Sequence, residues 1–223
     1  MSDIAALNAL LAKYKEPALA RSLWQLANTG IPFAAITFSM HAAYHYGHPW
    51  AALLLAFPAA GFLMRLFIIQ HDCGHGSFFK STRANDLLGA VIGVASLTPY
   101  SYWRQTHALH HATSGNLTRR GYGDIDTLTV KEYAALPSWG RFKYRVYRSV
   151  PVMFFVGPAI HFLVNHRLPA IIPADWKQER LSILLNDLVL ALILAGASYT
   201  VGLWPFLQVQ LPVCVAASCL GVW

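Results

Sequence analysis

Long apolar runs limit what this chain can fold into more than any other feature. Trp24–Tyr46, Ala51–Gln70, Leu181–Leu203 and Pro205–Trp223 each approach the roughly 20 apolar residues that cross a bilayer as a helix. The first is interrupted by Pro32 and His41, and the second carries Arg65. Two further stretches, Leu87–Leu97 and Val150–Val164, are shorter, about 11 and 15 residues, and read as re-entrant or interfacial. Only 12% of the residues are charged, about half the share of a soluble domain. The expectation is an all-α membrane protein.

The positions of the charges orient it. With the N-terminal segment (Lys13, Lys15, Arg21) in the cytoplasm and four spans, the outer connections are "YHYGHPW" and "LWPF", which hold no Lys or Arg. Had Leu87–Leu97 crossed as well, the basic run "GRFKYRVYR" would lie outside, against the positive-inside tendency. The predicted organisation is one membrane domain over 1–223. It comprises a cytoplasmic segment (1–23), a first hairpin (24–70), a cytoplasmic or interfacial helical cap (71–180) and a second hairpin (181–223) joined at "LWPF". The net charge of +7 follows the loops and forms no basic stripe interleaved with aromatics, which argues against nucleic acid as a partner. Cys73, Cys214 and Cys219 are an odd count without framework spacing, and a disulfide scaffold is not expected.

The polar chemistry concentrates in the cap. "HDCGH" places His71 and His75 at i, i+4, and "HALHH" places His107, His110 and His111 at i, i+3, i+4. On a helix each spacing puts the rings on one face, where they can converge on a metal. Ten histidines in 223 residues make a chance HxxHH a matter of about 0.02 occurrences in the chain. Imidazole suits iron, zinc, copper or nickel, so the spacing leaves the metal open. Neither box holds the Glu of a zinc hydrolase, and five histidines exceed one tetrahedral zinc, pointing to two metals. Asp72 and Asp124 are candidates for orienting the ligands through their second ring nitrogen. His41, His45 and His48 belong to the opposite side, and His161 and His166 lack ligand spacing, so all five are read as non-ligands. Arg65 reads as a snorkelling side chain, and Asp187 as an ionisable group within a span. Tyr102 and Trp103 read as an acyl-tunnel lining or as interfacial anchors.

"HDCGHGSFF" followed by "HALHHATSGNL" closely resembles the first two histidine boxes of the integral-membrane fatty acid desaturases, in particular the omega-6-type acyl-lipid branch. "RLFIIQHDCGH", "RRGYGD", "YRVYR" and "GPAIHFLVNHRLP" extend the resemblance over most of the chain. It implies a non-haem site with two iron ions, to which His71, His75, His107, His110 and His111 correspond as ligands. It also implies O2 as co-substrate, electrons from ferredoxin or cytochrome b5, and removal of two hydrogens from adjacent methylenes of an acyl chain. The expected location is a bacterial inner membrane with the boxes on the cytoplasmic side. The family's third box, HxxHH, has no counterpart after His111, and the chain stops within the apolar "SCLGVW". It is therefore expected to be an inactive C-terminally truncated fragment. A sibling di-iron hydroxylase or ketolase is the alternative reaction. A non-enzymatic metal-binding or transport protein would need more ionisable residues in its spans than Arg65 and Asp187.

Overall fold

Ala52, Ala56, Ala59 and Ala60 form a stripe of small side chains on the second long helix, each at most 3% exposed. Small residues let helix backbones approach closely where apolar burial alone cannot drive association. The helix they occupy is accordingly central. The computed structural model describes residues 16–120, 125–168 and 172–221, together with Leu7 and Leu11. Among these, α1 is Leu19–His45, α2 Pro49–Gly74, α3 Thr82–Ala95, α4 Tyr100–Thr113, α5 Val130–Ala135 and α6 Ser138–Tyr147. A π-helical turn, Val152–Val156, leads into α7, Gly157–Leu163, and a single 3-10 turn, Asn165–Arg167. The second long hairpin is α8, Lys177–Thr200, and α9, Leu203–Leu220. No strand occurs among the described residues.

Packed against α1, α3 and α9, α2 shares with them a core of Met40, Leu63, Ile69, Ile92, Val209 and Val213. Many large apolar side chains face outward on α8, Leu184, Leu188 and Leu192 among them, as expected of a helix whose solvent is lipid. The protein is an all-α membrane protein.

Three of the four expected spans, α2, α8 and α9, are long and apolar enough to cross a bilayer. The first span lies in α1, whose 27 residues cover about 40 Å at 1.5 Å per residue. This helix has the length but not the apolarity, since Gln25, Asn28, Thr29, His41 and His45 interrupt it. A further candidate is the pair Ser138–Tyr147 and Val152–Arg167, bent by 57° and compatible with a broken span or a re-entrant loop. α3, at 14 residues, covers about 21 Å and is too short for the ~30 Å hydrocarbon core. The late hairpin differs in detail from expectation. Its turn is Val201–Gly202, and "LWPF" opens α9. Pro205 sits in the first helical turn, where a missing N–H leaves no bond unmade.

Candidate metal centre

The first box occupies the last turn of α2. Its chain leaves through Gly76 at φ +68, a left-handed conformation that glycine adopts without a Cβ penalty. The Gly76 N–H donates to the Cys73 carbonyl at 3.0 Å and the Ser77 N–H to the Asp72 carbonyl at 3.0 Å. These bonds end the helix and leave His71 and His75 one turn apart at its rim. The second box forms the last turns of α4, where His107 and His111 share a face.

The two rims meet ring to ring. His75 Nε2 lies 3.2 Å from His107 Nε2, and His111 Nε2 lies 3.0 Å from the same atom. One nitrogen from each of His71, His75, His107 and His111 falls within a group no more than 4.8 Å across. Neighbouring ligands around a metal with ~2.1 Å metal–nitrogen bonds are about 3.0–3.4 Å apart, so the observed spacings fit a cation. Burial and the neighbouring imidazoles push His107 down to about 4, and burial lowers His75 too, with His71 and His111 adding to it. Both rings are thereby neutral at pH 7, the ligating form. The donor set is all nitrogen, which favours a first-row transition metal over magnesium or calcium. His75 and His111 remain exposed, so the group is open on one side.

His110, the fifth box histidine, stands outside this group. Its ring stacks beside His107 at 6.2 Å, and both rings line a cavity. Asp72 Oδ1 lies 3.4 Å from His71 Nδ1, within reach of the ring it was expected to orient. Asp124 lies outside the described residues.

Several further side chains surround the group or support it. Trp103, 8% exposed, stacks on His107 at 4.6 Å and 16°, meets His71 at 5.7 Å and takes an edge contact from Phe67 at 5.4 Å. It forms the floor of the histidine group. Gly74 makes room for it: a Cβ there would come within 2.8 Å of the indole. Gln70, fully buried, donates from Nε2 to the Thr98 carbonyl at 3.1 Å and accepts from Ser96 Oγ at 2.7 Å. That amide ties the first box to the linker entering the second. Arg167 donates to the Leu97 carbonyl at 2.6 Å, to Asp187 at 2.7 Å and to Asn186. Asp187 is thus an ion-pair partner, and Arg65 donates to Asn28 at 2.9 Å. Cys73 is buried in the core of α2. His41 meets Gln210 at 3.0 Å, far along the chain from either box.

The family model described as fatty acid desaturase matches residues 48–223. A fatty acid desaturase of Bacillus subtilis is 40% identical over 213 residues, covering 96% of this chain and 60% of that protein. An sn-1 oleoyl-lipid 12-desaturase of Synechocystis is 28% identical, over 72% of this chain and 45% of its own length. A chloroplastic omega-3 fatty acid desaturase of Sesamum indicum is 30% identical, over 51% of this chain and 28% of its length. The chain therefore spans less than two thirds of each of these relatives. The match to the family model, the apolar helices and the paired histidine rims agree, and the chain belongs to the fatty acid desaturase family.

Proposed function

We propose that this chain carries the first two ligand boxes of a membrane acyl-lipid desaturase that inserts a cis double bond into an acyl chain. The observation that carries the reading is the convergence of His71, His75, His107 and His111 from two helix ends. The cofactor is a pair of iron ions, and His71, His75, His107, His110 and His111 are the chain's contribution to holding them. When bound, the irons supply the redox chemistry that couples O2 reduction to removal of hydrogen. The residues present suit that role. His75 and His107 are held as neutral donors, Trp103, braced by Phe67, fixes the plane of His107, and Asp72 orients His71.

The names of the relatives support lipid-linked acyl chains as substrates, and the Synechocystis 12-desaturase supports the omega-6-type assignment. Two Synechocystis and Arabidopsis relatives carry ferredoxin in their names, which supports ferredoxin as electron donor, with cytochrome b5 as the other candidate. Loop charge supports the cytoplasmic side of a bacterial inner membrane for the boxes. The test is expression of the whole coding region in a host that makes only saturated and monounsaturated lipids. New diunsaturated acyl chains, with iron in the purified protein, are expected. Iron-loaded protein with an unchanged lipid profile would sink the desaturase reading and favour a hydroxylase or ketolase.

A further inference from the structure

The run "WGRFKYRVYR" alternates aromatic and basic residues in sequence, and α6 sorts them onto separate faces. Trp139, Phe142 and Val146, at i, i+3 and i+7, form an apolar stripe, 61%, 48% and 44% exposed. The Trp139 and Phe142 rings stack at 5.2 Å and 15°, and Lys143 Nζ stands over the Trp139 ring at 5.4 Å. Arg141, Arg145 and Arg148, at i, i+4 and i+7, form a second stripe. The remaining face is turned to the protein: the Leu128 N–H donates to Tyr144 Oη at 3.0 Å and the Asp126 N–H to Tyr147 Oη at 3.1 Å. A nucleic-acid groove would interleave the aromatic and basic side chains in space, which this helix does not do.

Residues 137–151 hold no Asp or Glu, and Glu132, the carboxylate that precedes them in the sequence, is gripped by Arg120. Among the described residues, none of Arg141, Lys143, Arg145 and Arg148 is in an ion pair. The apolar surface continues along the chain past the bend. Val150, Phe155, Val156 and Ile160 are also exposed, the last three on the helical pair compatible with a broken span or a re-entrant loop. At 10 residues, α6 covers about 15 Å and is too short to cross the bilayer itself. An exposed apolar stripe that runs on into such a segment and is flanked by cations suits a helix lying in the headgroup layer. Each Lys or Arg at an anionic membrane surface is worth about fivefold in binding. We propose that α6 seats on the membrane surface, its apolar stripe at the acyl boundary and Arg141, Lys143, Arg145 and Arg148 on anionic phospholipid headgroups. An acidic soluble protein would answer the charge and leave Trp139 and Phe142 uncovered. Through Tyr144 and Tyr147 the seated helix also fixes Asp126 and Leu128, in the segment that follows the second box.

The test is amide hydrogen exchange of α6 in the full chain, held in nanodiscs of phosphatidylcholine alone or of an equal mixture with phosphatidylglycerol. Exchange is expected to be about tenfold slower in the mixed bilayer, and high salt returns it to the phosphatidylcholine rate. Arg141→Gln/Lys143→Gln/Arg145→Gln changes three exposed positions and is expected to exchange at the wild-type phosphatidylcholine rate in both bilayers. Brominated phospholipid is expected to quench the emission of Trp139, read as the difference between wild type and Trp139→Phe. Equal wild-type exchange in the two bilayers overturns the proposal, as does an unquenched Trp139 or a triple variant that still responds to phosphatidylglycerol. Protection that appears on adding an acidic ferredoxin, and not with phosphatidylglycerol, overturns it in favour of a protein partner.

Discussion

At the rims of α2 and α4 the histidines touch mainly one another, whereas beneath them the linker that enters α4 is tied to α2, to the 3-10 turn and through that turn to α8 by largely buried polar bonds. The rim is built of like groups that gain from a cation between them. The deeper layer is built of unlike groups that satisfy each other: Gln70 with Ser96 and Thr98, Arg167 with Leu97, Asn186 and Asp187. It also holds Leu97 at φ +57, a left-handed conformation costing a non-glycine residue about 1–2 kcal/mol. The layer that binds and the layer that aligns are therefore separable, and their variants should fail differently.

The largest expected effect is at the rim. His107 Nε2 is the atom that both His75 and His111 approach, so His107→Ala should lower metal affinity by more than 100-fold, beyond the 10–100-fold of an outer contact. Thermal stability of the metal-free protein should barely change. Metal analysis beside a melting curve checks this, with His45→Ala as a control expected to bind normally. Retained affinity in His107→Ala would dismantle the ligand assignment.

Arg167→Met should show the opposite pattern. It leaves Asp187 without its ion pair inside α8 and frees the Leu97 carbonyl, at a cost of about 3 kcal/mol for a part-buried pair. Stability falls first, and metal affinity only as far as the linker moves. Gln70→Leu is smaller, about 2 kcal/mol for one unsatisfied carbonyl and one unsatisfied hydroxyl. Because Gln70 adjoins His71, it should also cost roughly tenfold in metal affinity. A Gln70→Leu protein that melts like wild type would show that packing alone registers the two boxes.

The difference between the layers also explains what could be read in advance. His71, His75, His107 and His111 announce themselves because helical spacing alone puts them on common faces. The apolar runs do the same for α2, α8 and α9, where length and hydropathy suffice. Gln70 carries no such signal, since its partners lie 26 and 28 residues away on a linker. His161 and His166 lack ligand spacing because their meeting depends on the passage from α7 into the 3-10 turn. His110 shares a helix with His107 and His111 yet falls outside the group of four, a distinction that spacing at i, i+3, i+4 does not resolve. α1 is less legible: it is a continuous helix whose polar residues keep it below the apolarity of its neighbours.

The smallest effect lies on the exposed exit from the second box, where neither metal nor burial contributes. Thr129 and Glu132 form a capping box at the start of α5, and Arg120 grips both Glu132 oxygens at 2.8 Å. The Arg120 bonds, followed by those from Thr129, hold Glu132 down to about 2. A carboxylate depressed in the folded state stabilises above its ordinary value near 4.5 and loses that contribution as pH falls through about 2. Protection of the α5 amides in hydrogen exchange should therefore be level from neutral pH to about 5 and decline below it. Glu132→Gln should have lower protection at neutral pH and no decline over that window. The group is fully exposed, so salt should blunt the difference, unlike anything expected at Gln70 or Arg167. If Glu132→Gln kept the wild-type pH profile, the decline would belong to another group and the Arg120 grip would not order this exit.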